Sequence, residues 1–153
     1  MALVAVSVLM LTLMFGCKPD MYGSSWDGLP REQAQSKLIA GEYQTFTSTS
    51  AMPAELQDAF RRATRQLNFE LADPSATGEN VRERKLVFWG SGTENSFVHY
   101  QQGKDTKVLV FAKHDSKFDF VWGGQGTRAA SNVEELKRLI SSNEFKDDQP
   151  YWW

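Results

Sequence analysis

The chain is poor in the residues from which compact reactive sites are most often built. It has one cysteine, Cys17, among 153 residues, so no disulfide can close within it and no cysteine pair can hold zinc. Its two histidines, His99 and His114, lack metal-ligand spacing, and no His-Glu-x-x-His helix is present. No serine sits in a Gly-x-Ser-x-Gly elbow. Charge of one sign is missing too. Lys and Arg number 17 against 19 Asp and Glu, a net charge of -2, so no global positive field exists to collect nucleic acid. The longest apolar run, Ala2 to Phe15, is shorter than the roughly 20 residues a membrane-crossing helix needs. From these shortages we expect no cofactor, no metal centre and no nucleic-acid partner.

What is present fits one folded domain. Apolar residues make up 41% and charged residues 24%, which argues against wholesale disorder. Aromatics reach 12%, enough large side chains to build a core in a chain of this length.

The apolar run at the start has the length of a signal-peptide core. It ends in Leu13-Met14-Phe15-Gly16-Cys17, followed by Lys18-Pro19-Asp20. This segment resembles the lipobox of bacterial lipoproteins, in which a small residue precedes the cysteine that receives lipid. It departs from that pattern at Met14, where leucine is usual, and in having no Lys or Arg ahead of the run. The resemblance implies a signal peptide over 1–16, lipidation of Cys17 and a flexible tether over 17–29. The Gly, Ser and Pro of residues 18–29 suit a tether. It also implies anchorage in the cell envelope. With Lys18 in place of an inner-membrane aspartate, the periplasmic face of the outer membrane is favoured in a Gram-negative cell.

Residues 30–153 read as a single α+β domain. Pro30 to Ala40 is expected to be a short helix stopped by Gly41. Residues 42–49 are rich in Thr and aromatics and suit a strand. Leu56, Ala59, Phe60, Ala63 and Leu67 recur at helical spacing within a helix expected over Pro53 to Asn68. Four strand patterns follow, over Lys85 to Trp89, Phe97 to Gln101, Lys107 to Lys113 and Lys117 to Trp122. A last helix is expected over Asn132 to Ser141, capped by Ser131 and Glu134. The expected architecture is an antiparallel meander of four or five strands, with two or three helices packed on one face.

With two-residue turns at Gly103-Lys104 and Asp115-Ser116, Val98, Tyr100, Leu109, Phe111, Phe118, Phe120 and Trp122 share one face, bulky enough to lie under helices. The opposite face carries Phe97, His99, Val108, Val110, Asp119 and Val121, which makes it the candidate binding face. The strand pair Phe97-Val98-His99-Tyr100-Gln101-Gln102-Gly103 and Val108-Leu109-Val110-Phe111 resembles a hairpin of bacterial envelope proteins that carry no known activity, and so implies no function.

Other features read as ordinary structure. Gly124-Gln125-Gly126-Thr127-Arg128-Ala129 has dinucleotide-like glycine spacing, but no parallel strand-helix-strand unit surrounds it, so a turn between sheet and helix is expected. His114 beside Asp115 suits a solvated turn. His99 suits a hydrogen-bonded structural histidine, and a site role would require a carboxylate such as Asp119 beside it. Arg61, Arg62 and Arg65 suit a solvated helix face with Asp58 paired to Arg62. Tyr151-Trp152-Trp153 are apolar enough that they should fold back onto the domain. The favoured function is a non-catalytic envelope protein that binds another protein, cell-wall material or a small ligand. An envelope hydrolase, or an inhibitor or immunity lipoprotein, is the alternative.

Overall fold

The computed structural model describes residues 31–77 and 84–148. The apolar leader, Cys17, the tether and the Tyr151–Trp153 tail lie outside the described residues. The fold is α+β. Its elements run α1 (Arg31–Ala40), β1 (Gln44–Phe46), a 3-10 turn (Thr49–Ala51), α2 (Ala54–Ala63), β2 (Arg84–Ser91), β3 (Asn95–Gln102), β4 (Asp105–His114), β5 (Lys117–Gly126), α3 (Val133–Ser141) and β6 (Lys146–Asp147). All six strands join one antiparallel sheet in chain order, two of them short edge strands. Four or five strands were expected; the sixth, β6, has only two residues and leaves no periodicity to read.

The turns at Gly103-Lys104 and Asp115-Ser116 fall where expected, because Gln102 pairs with Asp105 and His114 with Lys117. Gly103 (φ 60°) and Asp115 (φ 54°) supply the left-handed backbone that such tight turns require. Two bulges then alter the faces. β2 carries an extra residue at Val87, between the Leu86–Tyr100 and Phe88–His99 pairs. β5 carries one at Val121, between the Val110–Trp122 and Phe111–Phe120 pairs. An inserted residue reverses side-chain parity beyond it. Trp122 was expected beside Phe118 and Phe120; the Val121 bulge turns it to the opposite face, with Val110 and Phe97.

Both faces are apolar, and helices cover both. On the first, Leu56, Ala59, Phe60 and Ala63 of α2 pack on Leu86, Trp89, Val98, Tyr100, Leu109, Phe111 and Phe118. On the second, Ala34 and Leu38 of α1 and Leu136, Leu139 and Ile140 of α3 pack on Phe88, Phe97, Val108, Val110 and Trp122, with Phe145. This corrects the expectation of helices on one face only. A face bearing Phe88, Phe97, Val108 and Val110 would leave a large apolar area in water, and each large side chain gains roughly 1.5–3 kcal/mol when covered. Gly90 fits the same packing: a Cβ there would lie 2.3 Å from the Phe97 ring.

Helix α2 stops at Ala63, short of the expected Asn68. Arg65 adopts a left-handed φ of 51°, Gln66 N–H bonds to Arg61 O at 2.9 Å, and Arg65 N–H bonds to Arg62 O at 3.1 Å. This is a Schellman stop with arginine where glycine is usual. Leu67 therefore leaves the stripe and is 92% exposed. Helix α3 ends in the same way at Asn143 (φ 59°) and Glu144. Its start is capped one residue later than expected. Asn132 is extended and accepts from Glu135 N–H at 2.9 Å, while the Glu135 carboxylate accepts from Ser131 N–H at 2.8 Å.

Candidate binding site

The structure places the residues of the expected binding face in two groups. Phe97, His99, Val108 and Val110 are buried beneath α1 and α3, in the second core. No ligand reaches them while those helices are seated. Val121 is partly buried at the bulge, and Asp119 is exposed. Asp119 opposes Ala112, whereas His99 opposes Val108, four residues back along β4. At about 3.3 Å per strand residue, that separation is far beyond carboxylate–imidazole contact.

His99 is fully engaged by the fold. Its Nδ1 lies 2.9 Å from Lys107 O, and its Nε2 lies 3.0 Å from Ala130 N. A backbone N–H can only donate, so Nε2 is the acceptor and Nδ1–H donates to the carbonyl. The ring also meets Phe88 and Phe145 edge-on. Burial pulls its pKa down to about 4, with the Lys107 carbonyl opposing, so the imidazole is neutral at pH 7. His99 thus ties β3 to the segment that leads into α3.

The remaining sequence features also find structural positions. His114 is exposed at the end of β4. Arg61 and Arg62 both pair with Asp58, at 2.6 and 2.9 Å, and Arg62 also donates to Phe118 O. Gly124, Gln125 and Gly126 are not a turn between sheet and helix; they lie within β5. A Cβ at Gly124 would lie 2.6 Å from the Trp122 ring, so this glycine gives room to an aromatic side chain.

A polar row that the sequence did not single out lies on the α2 face, at the end of the sheet nearest the β3–β4 turn. Arg84 pairs with Gln102 and Leu86 with Tyr100 across β2 and β3. Gln102 pairs with Asp105 and Tyr100 with Lys107 across β3 and β4. Alternation along each strand puts Arg84, Gln102 and Asp105 on the same face as Leu86, Tyr100 and Lys107. Tyr100 forms the floor, fully buried against Phe60 at 5.3 Å. Lys107, with 1% of its side chain exposed, meets Asp148 at 2.8 Å. Burial pushes the Lys107 pKa down, and Asp148 opposes it.

Three atoms of this row are buried without a hydrogen-bond partner: Arg84 Nε, Tyr100 Oη and Gln102 Oε1. The Arg84 charge and a loose side-chain hydrogen bond from Arg84 both favour the ionised form of Tyr100, although the contact misses good hydrogen-bond geometry. Burial dominates and raises the Tyr100 pKa, so the phenol stays protonated and offers an O–H donor. Such a set can orient a polar group. The sequence signal was parity, since Lys107 shares the face of the core residues Leu109 and Phe111.

Among the described residues, no group of three or more His, Cys, Asp or Glu side chains is arranged to hold a metal ion. No protein family, no curated protein and no solved structure matches the chain.

Proposed function

We propose that this chain is a lipid-anchored protein of the bacterial envelope whose folded domain is a binding or structural module rather than a catalyst. The anchoring half of the reading rests on the apolar run that ends in Gly16-Cys17. The binding half rests on one observation, the row of Arg84, Tyr100 and Gln102 with three buried polar atoms lacking partners. Native interiors satisfy nearly all such atoms, which a ligand group or an ordered water would complete; Gln66 Nε2 and Ser96 Oγ are in the same state elsewhere among the described residues. A hydrolase built on His99 would need that ring free to move protons, and both its ring nitrogens are hydrogen-bonded within the fold.

The experiment pairs two variants in cells. Cys17→Ser should release the protein from membranes or leave the precursor uncleaved. Tyr100→Phe should stay in the membrane fraction but lose partners captured from envelope extract by the wild type. Normal processing and membrane retention of Cys17→Ser contradicts the anchoring. Identical capture by Tyr100→Phe contradicts the assignment of binding to this row.

A further inference from the structure

On the α2 face the sheet has a rim at β5, where Leu109, Phe120 and Gly123 come together. We propose that this rim is the seat of the chain's own Tyr151-Trp152-Trp153 segment. The proposal goes beyond the anchored-module reading: it gives the rim an occupant from the same chain and leaves the lipid on Cys17 as the membrane contact.

The path of the chain is the first argument. β6 runs antiparallel to β5, with Lys146 opposite Gln125 and Asp147 opposite Gly124. Asp148 N–H still donates to Gly123 O at 3.0 Å, one residue past the end of β6. There the chain turns off the sheet edge. A Cβ at Gly123 would lie 2.6 Å from Asp148 O, 3.3 Å from the Leu109 side chain and 3.3 Å from the Phe120 ring. Leu109 and Phe120 belong to the α2 core, so the Asp148 carbonyl has moved onto that face. It fills the space that a side chain at position 123 would take. Pro150 follows two residues later and lacks the N–H that a longer strand ladder would use.

Anchorage of that path is the second argument. Asp147 accepts from Trp122 Nε1 at 2.9 Å and meets Arg31 at 2.8 Å. Asp148 reaches inward to Lys107 at 2.8 Å. Three contacts from two consecutive residues thus fix the direction in which the chain enters the α2 face. The Lys107 and Asp148 side chains are only 1% and 12% exposed. Charges held so far from water are stable only when their pairing is kept dry. Tyr and Trp, with an apolar body and a polar tip, suit the cover of such a pair.

Reach is the third argument. Three residues of extended chain span about 10 Å. Tyr151, Trp152 and Trp153 therefore all come within reach of the Phe120 ring. Phe120 is only partly buried against the α2 core, and aromatic rings gain from edge-on or offset contact. The membrane interface also accepts Trp and Tyr, but reaching it would take the chain back off the face that Asp148 has entered.

The test replaces Trp152 by the photo-cross-linker p-benzoylphenylalanine in the full chain, irradiates bacterial membranes that contain it, and maps the products by mass spectrometry. The expected product is intrachain and joins position 152 to a peptide holding Leu109 or Phe120. Its yield should fall about tenfold or more in Gly123→Val, whose side chain displaces the Asp148 carbonyl. If Gly123→Val fails to fold, Phe120→Ala, which removes a partly buried ring from the rim, carries the comparison. Products with phospholipid, with another protein or with a different part of the chain overturn the seat, and so does the absence of any product. An undiminished intrachain product in the folded variant overturns it as well. Phospholipid products from a protein whose Cys17 is lipidated overturn the seat while sparing the anchoring.

Discussion

Acidification from about pH 7.5 to about pH 5 acts on the two states of this protein differently through His99. In the unfolded chain the imidazole gains its proton near pH 6.5. In the fold it resists until about pH 4, because burial disfavours the cation and Nε2 is already accepting the Ala130 N–H. Between those values the unfolded state binds more protons, so stability falls as pH falls. The contribution is complete above about pH 6.5, declines through the interval and is exhausted below about pH 4. A difference of about 2.5 pKa units corresponds to about 3 kcal/mol in total, of which about 2 kcal/mol is lost by pH 5. His99 is fully buried, so solvent screening does not reduce this figure. Urea melts of wild type and His99→Gln at both pH values give the double difference, in which the carboxylates common to both proteins cancel. The wild type should lose about 2 kcal/mol more than the variant. Imidazole nitrogen resonances should show a neutral ring protonated at Nδ1 at pH 5. A folded-state midpoint near 6.5, or parallel losses in the two proteins, would refute the reasoning.

Phe60→Ala and Phe111→Ala should each cost about 3–5 kcal/mol, since both rings are fully buried in the α2 core. Unchanged urea midpoints would mean that α2 does not seat on this face. Asp148→Ala should cost about 3–5 kcal/mol by removing the carboxylate from a buried ammonium. The double variant Lys107→Met with Asp148→Leu should cost less than Asp148→Ala alone, and the opposite order would show that the pair is not the link that matters. At the start of α3, hydrogen bonds from Ser131 and Arg128 hold the Glu135 pKa down at about 2. Its contribution is present above about pH 4.5 and lost as pH falls toward 2, so Glu135→Gln should flatten the acid limb of the melt.

The legible part of the fold lay in local periodicity and turn chemistry. Leu56, Ala59, Phe60 and Ala63 marked α2, Leu136, Leu139 and Ile140 marked α3, and Gly103 and Asp115 fixed two hairpins. The bulges at Val87 and Val121 were not legible, because an inserted valine in a strand with apolar residues on both faces leaves the pattern unbroken. The end of α2 was hidden for a related reason. Leu67 continues the spacing of Ala63, and the residue that takes the left-handed stop is Arg65 rather than a glycine. The candidate site was hidden more deeply. Lys107 and Asp148 are 41 residues apart, and nothing local links them. Arg84 shares a face with Leu86, and so with the core, only once the strand register is known. His99 was readable as structural, but its partners, the Lys107 carbonyl and the Ala130 N–H, are backbone groups that no side-chain pattern announces.

The most direct test of the anchored-module account is the intact mass of the protein recovered from bacterial membranes. The account predicts a chain that begins at Cys17 and carries a diacylglyceryl group on the sulfur. An unmodified Cys17, or a chain that still retains Gly16 and the apolar run before it, would contradict it.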